Sequence, residues 1–203
     1  MSFLFLGFLT GLTLIFAIGP QNVFVIEQGL KKQYIFLVCL VCALSDLILI
    51  FLGIFLFNYF SYYFNNIVEL ILNILLIIFL SFFIYGKIKE IFKFRSLEFK
   101  NNVIAQSSFN IFIKTLGFTY LNPVYSDTVF FLGNFSKSFN IENKIYFGIG
   151  ASIASFLFFF SLGYLSKIFS NKLNNRSFWK YINIFIIIFM SGIVFYIIRD
   201  IIY

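Results

Sequence analysis

Asp46 lies in an apolar stretch running from Tyr34 to Phe57, twelve residues from its start and eleven from its end. A carboxyl group at that depth in a membrane can bind either a proton or a cation, and it is costly to keep there. Even the lower figures put a central Asp at about 2.5 to 3.5 kcal/mol, so such residues face a bundle interior or a pathway. A protonated Asp46, hydrogen-bonded inside the bundle, is the structural alternative, and Ser45 beside it offers a hydroxyl. The chain contains no histidine, which removes the usual proton shuttle and metal ligand and leaves carboxylates to do any proton chemistry. Cys39 and Cys42 form C-x-x-C within the same apolar stretch. They lack the exposed, electropositive helix start that activates a thiol, and read as packing residues.

The second chemical feature is backbone rather than side chain. Ala17-Ile18-Gly19-Pro20-Gln21-Asn22 interrupts an apolar run from Phe3 to Ile26. Pro20 has no N–H and its ring presses on the carbonyl four residues earlier, so the Phe16 carbonyl loses its helical partner. Inside a bilayer a freed polar group survives only where protein, water or ligand meets it. A new half-helix can start at Pro20, with the N–H groups of Gln21, Asn22 and Val23 facing the break. Helix starts of this kind attract anions, which makes the break a candidate carboxylate site. Leu121-Asn122-Pro123 repeats the device and frees the Thr119 carbonyl, with Tyr125, Ser126 and Asp127 following at once. Pro20 and Pro123 are the only prolines in the chain.

The elements that must position these groups follow from composition. With 61% hydrophobic and 11% charged residues in 203, the chain falls outside the balance of soluble domains and reads as polytopic in a lipid bilayer. Six stretches approach the roughly 20 residues needed for a span: Phe3 to Ile26, Tyr34 to Phe57, Ile67 to Tyr85, Ile111 to Leu132, Ile145 to Leu165 and Tyr181 to Ile198. Each proline interrupts the first span of a three-span half. Because three is odd, the second half enters the membrane from the opposite side, as in inverted repeats whose broken helices meet at a central site. The expected fold is therefore all-α: residues 1–86 as one three-helix repeat, 87–110 as a basic cytoplasmic linker, and 111–203 as the second repeat.

Charge sets the expected orientation. Lys31, Lys32, Lys87, Lys89, Lys93, Arg95, Lys100, Lys114, Lys167, Lys172, Arg176 and Lys180 share one side of a six-span layout, against Lys137, Lys144 and Arg199 on the other. Twelve against three places the first side in the cytoplasm and both termini outside. A net charge of +7 carried by such loops implies no nucleic-acid partner. The 34 Phe and 12 Tyr occur in every span and read as lipid-facing filler, with some Tyr at the interfaces. Gly7 and Gly11 stand four apart, a spacing that admits a close helix from the same chain or from a homodimer partner. Gly150 and Ala154 form a second face of this kind.

Taken together, Gly19-Pro20-Gln21-Asn22-Val23-Phe24-Val25 with Gln28-Gly29, Leu37-Val38-Cys39 with Leu44-Ser45-Asp46, Leu121-Asn122-Pro123 with Tyr125 and Asp127-Thr128, and Phe178-Trp179-Lys180-Tyr181-Ile182-Asn183 resemble the lysine/arginine exporter (LysE/ArgO) family of amino-acid translocators. The likeness covers nearly the whole chain. One departure is local: a single residue, Val124, separates Asn122-Pro123 from Tyr125 where the family has two, a difference of about 100° around a helix. The resemblance implies an inner-membrane exporter of basic L-amino acids, lysine and/or arginine, working by proton antiport. A membrane-embedded enzyme would need a nucleophile, a metal cluster or an acid-base pair, and beyond isolated carboxylates the sequence offers no such constellation, so no enzyme activity and no cofactor are expected. A neutral amino acid or another small solute is the alternative cargo. The expected site gathers Phe16, Gly19, Pro20, Gln21, Asn22, Asp46, Thr119, Asn122, Pro123, Tyr125 and Asp127. In that arrangement the substrate carboxylate meets the N–H groups after Pro20 and Pro123, Asp46 and Asp127 receive its cationic group, and the Phe16 and Thr119 carbonyls help hold an ammonium.

Overall fold

The computed structural model describes residues 2–15, 19–63, 66–93, 107–121, 124–170 and 176–202. They form eight helices: α1 (Phe3–Ile15), α2 (Pro20–Lys31), α3 (Ile35–Tyr63), α4 (Asn66–Lys93), α5 (Ser108–Tyr120), α6 (Val124–Phe135), α7 (Ile141–Ser170) and α8 (Arg176–Ile202). No strand occurs among the described residues. Both proline breaks fall between helices, α1 from α2 and α5 from α6. Among the described residues three helices are long and apolar enough to cross a membrane alone, within α3, α7 and α8, and a fourth span results if α1 and α2 are taken as one. Those two helices meet at 83°. At 13 and 12 residues each is about 20 Å long, well short of a hydrocarbon core of about 30 Å.

Helix lengths repeat through the chain. They run 13, 12, 29 and 28 residues from α1 to α4, then 13, 12, 30 and 27 from α5 to α8. The packing repeats as well. Helix α1 packs on α7 as α5 packs on α3, α2 on α7 as α6 on α3, and α3 with α7 and α4 with α8 form the pairs between. The basic stretch after Tyr85 does not begin as a linker, because α4 continues to Lys93. Arg95 and Lys100 lie outside the described residues.

Close helix contacts explain the glycines. A Cβ on Gly7 would lie 2.0 Å from the Phe147 carbonyl oxygen, and one on Gly150 would lie 2.0 Å from that of Leu4. The Gly7 and Gly11 face is thus occupied by α7 of the same chain. Small residues let two backbones touch, which is how helices associate where lipid removes the hydrophobic drive. The Phe residues divide by position. Phe82, Phe185 and Phe195 are exposed, as lipid-facing filler should be, whereas Phe24, Phe118, Phe147 and Phe159 are fully buried. Phe24 stacks on Phe118 with ring centroids 4.8 Å apart, and Phe79 and Phe83 meet Phe118 edge-on. That aromatic knot, joining α2, α4 and α5, corrects the reading of the Phe residues as filler alone.

Candidate substrate site

Helix α2 begins as its sequence requires. Gly19 is extended (φ −113°, ψ 178°) and Pro20 occupies the first helical turn, where a missing N–H costs nothing. The Val23 N–H donates to the Gly19 carbonyl at 3.3 Å, so it does not face the break as the sequence reading had it. The N–H groups of Gln21 and Asn22, nearer the start, are those an α-helix leaves to partners outside itself. Pro20, Gln21 and Asn22 are all buried.

The side chains around this start are tied across the fold. Asn22 Nδ2 donates to the Ile15 carbonyl at the end of α1, 3.3 Å away. Gln21 Nε2 donates to Thr119 Oγ1 on α5 at 3.3 Å, a contact 98 residues apart in sequence. Thr119 is fully buried and sits one turn before the second break. Asp46, buried on α3, accepts a 2.7 Å hydrogen bond from the hydroxyl of Ser155 on α7. The Cys42 side chain lies among Gln21, Thr119 and Asp46, one turn from Asp46 on α3. Thus Gln21, Asp46 and Thr119 meet around Cys42, with Gly19, Pro20 and Asn22 beside Gln21 at the start of α2. Phe16, Asn122 and Pro123 lie outside the described residues, and Tyr125 and Asp127 are described only as backbone of α6.

Two participants escaped the sequence reading. Ser155 gave no signal, since a serine in an apolar helix more often bonds back to its own turn, as Ser152 does to the Gly148 carbonyl. By sequence Cys42, like Cys39, is a packing residue. Cys39 fits that reading, its thiol donating to the Phe159 carbonyl at 3.2 Å, whereas Cys42 lines the polar cluster.

With this geometry in place, similarity to known proteins becomes informative. Residues 12–200 match the LysE type translocator family. The chain belongs to that family. Its relatives include proteins named arginine exporter protein ArgO. Over 195 residues it is 35% identical to the one from Pectobacterium carotovorum subsp. carotovorum, covering 92% of each chain. Over 201 residues it is 35% identical to that of Klebsiella pneumoniae subsp. pneumoniae, covering 98% of this chain and 94% of the relative. Salmonella typhimurium has another, 34% identical over 202 residues. No solved structure matches. A LysE type translocator is a multi-pass membrane protein, which accords with the apolar helices.

In this translocator the hydrogen bond from Gln21 to Thr119 links its two broken segments beside the stacked Phe24 and Phe118 rings. Thr119→Val keeps the shape and removes the acceptor. Combined with Gln21→Leu in a double-mutant cycle, it is expected to show a coupling of about 1 kcal/mol in unfolding of the detergent-solubilised protein. Strict additivity would show that the two residues do not support each other.

Proposed function

We propose that the protein exports a basic L-amino acid, arginine foremost, across the bacterial cytoplasmic membrane in exchange for protons. The observation that carries this reading is a buried carboxyl group, Asp46, held by Ser155 one turn along α3 from Cys42, whose side chain lies among Asp46, Gln21 at the start of α2 and Thr119 before the second break. A helix start suits the substrate carboxylate, and Asp46 suits its cationic end. The named activity of the relatives supports arginine as cargo. The repeated helix lengths and packing support two inverted halves meeting at this site. The basic loops would face the cytoplasm.

Energetics favour exchange over leakage. Moving one positive charge outward against an inside-negative potential costs about 2.3 kcal/mol per 100 mV, and an inbound proton cancels that charge movement. With no histidine in the chain, a carboxyl group that holds the proton or the substrate cation, but not both, is the coupling element.

Purified protein in proteoliposomes should move labelled arginine, driven by a pH gradient of the exchanging sense, and should discriminate against neutral amino acids in counterflow. Equal counterflow of a neutral amino acid would move the reading to the alternative cargo. No movement of any amino acid would overturn export itself.

A further inference from the structure

We propose that a cavity between α2, α4 and α5 is a second substrate site, where Glu27 and Gln28 receive the guanidinium or terminal ammonium of a basic amino acid before it reaches the broken helices. This rests on the export reading above. Glu27 and Gln28 are 2% and 1% exposed. Glu27 Oε1 is engaged by Lys31, one turn on in α2 at 2.6 Å, and by Lys87 of α4. Glu27 Oε2 is different. Among the described residues neither it nor Gln28 Oε1 accepts a hydrogen bond, although both are buried. Leaving buried acceptors unmet is costly, and such groups call for an explanation, a bound ion among them.

Both residues line one cavity of ≈ 160 Å³, with Phe24, Phe79, Phe83 and Lys87 among its walls and Lys114 at its side. One water needs roughly 10 to 15 Å³ of such space, so there is room for a small organic ion. Glu27 Oε2 and Gln28 Oε1 are unmet acceptors on neighbouring residues of one helix, and a guanidinium, with five N–H groups spread around its plane, can supply more than one donor. Aromatic walls suit a cation, and Lys87 already lies 5.1 Å from the Phe83 ring centroid. Lys87 and Lys114 also line the cavity, and positive charge there suits a carboxylate on the same ligand. A zwitterion with an added cationic end therefore matches each wall of the cavity. Glu27 follows Gln21 by six residues on the same helix, about 9 Å along its axis, so α2 carries both the cavity wall and the start of the central site.

Equilibrium binding of labelled L-arginine to the purified full-length protein in detergent tests this. Wild type should bind two equivalents per chain. Gly86→Leu should bind one: Gly86 lines the cavity, a Cβ there meets nothing within 4 Å, and the substitution leaves the ion pairs in place. Glu27→Gln, made alone and with Lys87→Met so that the Lys87 ammonium is not left buried, should weaken the second equivalent about tenfold or more. One equivalent in wild type, with transport intact, overturns the second site alone, as does wild-type binding in Gly86→Leu. Loss of the second equivalent on adding phosphatidylethanolamine would assign the cavity to a lipid ammonium instead. Wild type that neither binds nor transports arginine overturns the export reading itself.

Discussion

Asp46→Asn is expected to reduce arginine efflux to background while the protein remains in the membrane at normal abundance. Asn matches Asp in size and can still accept from Ser155, whose hydroxyl lies 2.7 Å from the carboxylate. The substitution therefore removes ionisation and little else. A charge-assisted hydrogen bond contributes about 1.5 to 3 kcal/mol, so losing the anion should weaken cation binding about 10- to 100-fold. A larger effect falls on coupling. A group that cannot be protonated and deprotonated cannot exchange a proton for a cation, so any residual transport should no longer respond to a pH gradient. Efflux from intact cells, normalised to folded protein, and counterflow in proteoliposomes at two pH gradients measure both effects. Near-normal, pH-driven efflux would mean that Asp46 is a protonated structural group, because Asn mimics that form. Ser155→Ala separates placement from charge: it should lower the rate several-fold and keep the pH response.

The largest effect on stability is expected at Gly150. Leucine there would drive its Cβ into the Leu4 carbonyl, 2.0 Å away, and into the Phe8 backbone nitrogen at 2.8 Å. Neither obstacle is a side chain that can swing aside. Helix α1 must move off α7, its main partner, and the start of α2 moves with it. Overpacking typically costs about 1 to 3 kcal/mol, and more when backbone is displaced. In a marginally stable protein that is a large share of the whole. Gly150→Leu should therefore lower the unfolding temperature sharply or abolish accumulation in the membrane. Gly192→Leu is the matched control, since a Cβ there meets nothing within 4 Å, and it should accumulate normally. Equal behaviour of the two variants would show that the close approach of α1 and α7 does not hold the fold.

These two sites show how far the sequence alone reached. The helical class, the break at Gly19-Pro20 and the place of Asp46 midway along an apolar stretch follow from composition, from an N–H that proline lacks, and from counting residues. Such features are local or summed along the chain, so they survive without knowledge of which helices touch. Partners are a different matter. Ser155 stands 109 residues from Asp46, Thr119 stands 98 from Gln21, and Lys87 stands 60 from Glu27. No periodicity encodes those distances, because in an apolar helix lipid-facing and protein-facing surfaces carry the same residue types and the pattern that marks a buried face in soluble proteins is absent. Lys87 illustrates the point. By sequence it opens a solvated basic linker; in the fold its ammonium is buried against Glu27, because α4 continues past Tyr85 and passes α2 there. The same reason divides the phenylalanines. Phe82 and Phe83 are neighbours in sequence, yet only the packing of α2 and α5 beside α4 makes one a lipid contact and the other a wall of the aromatic knot.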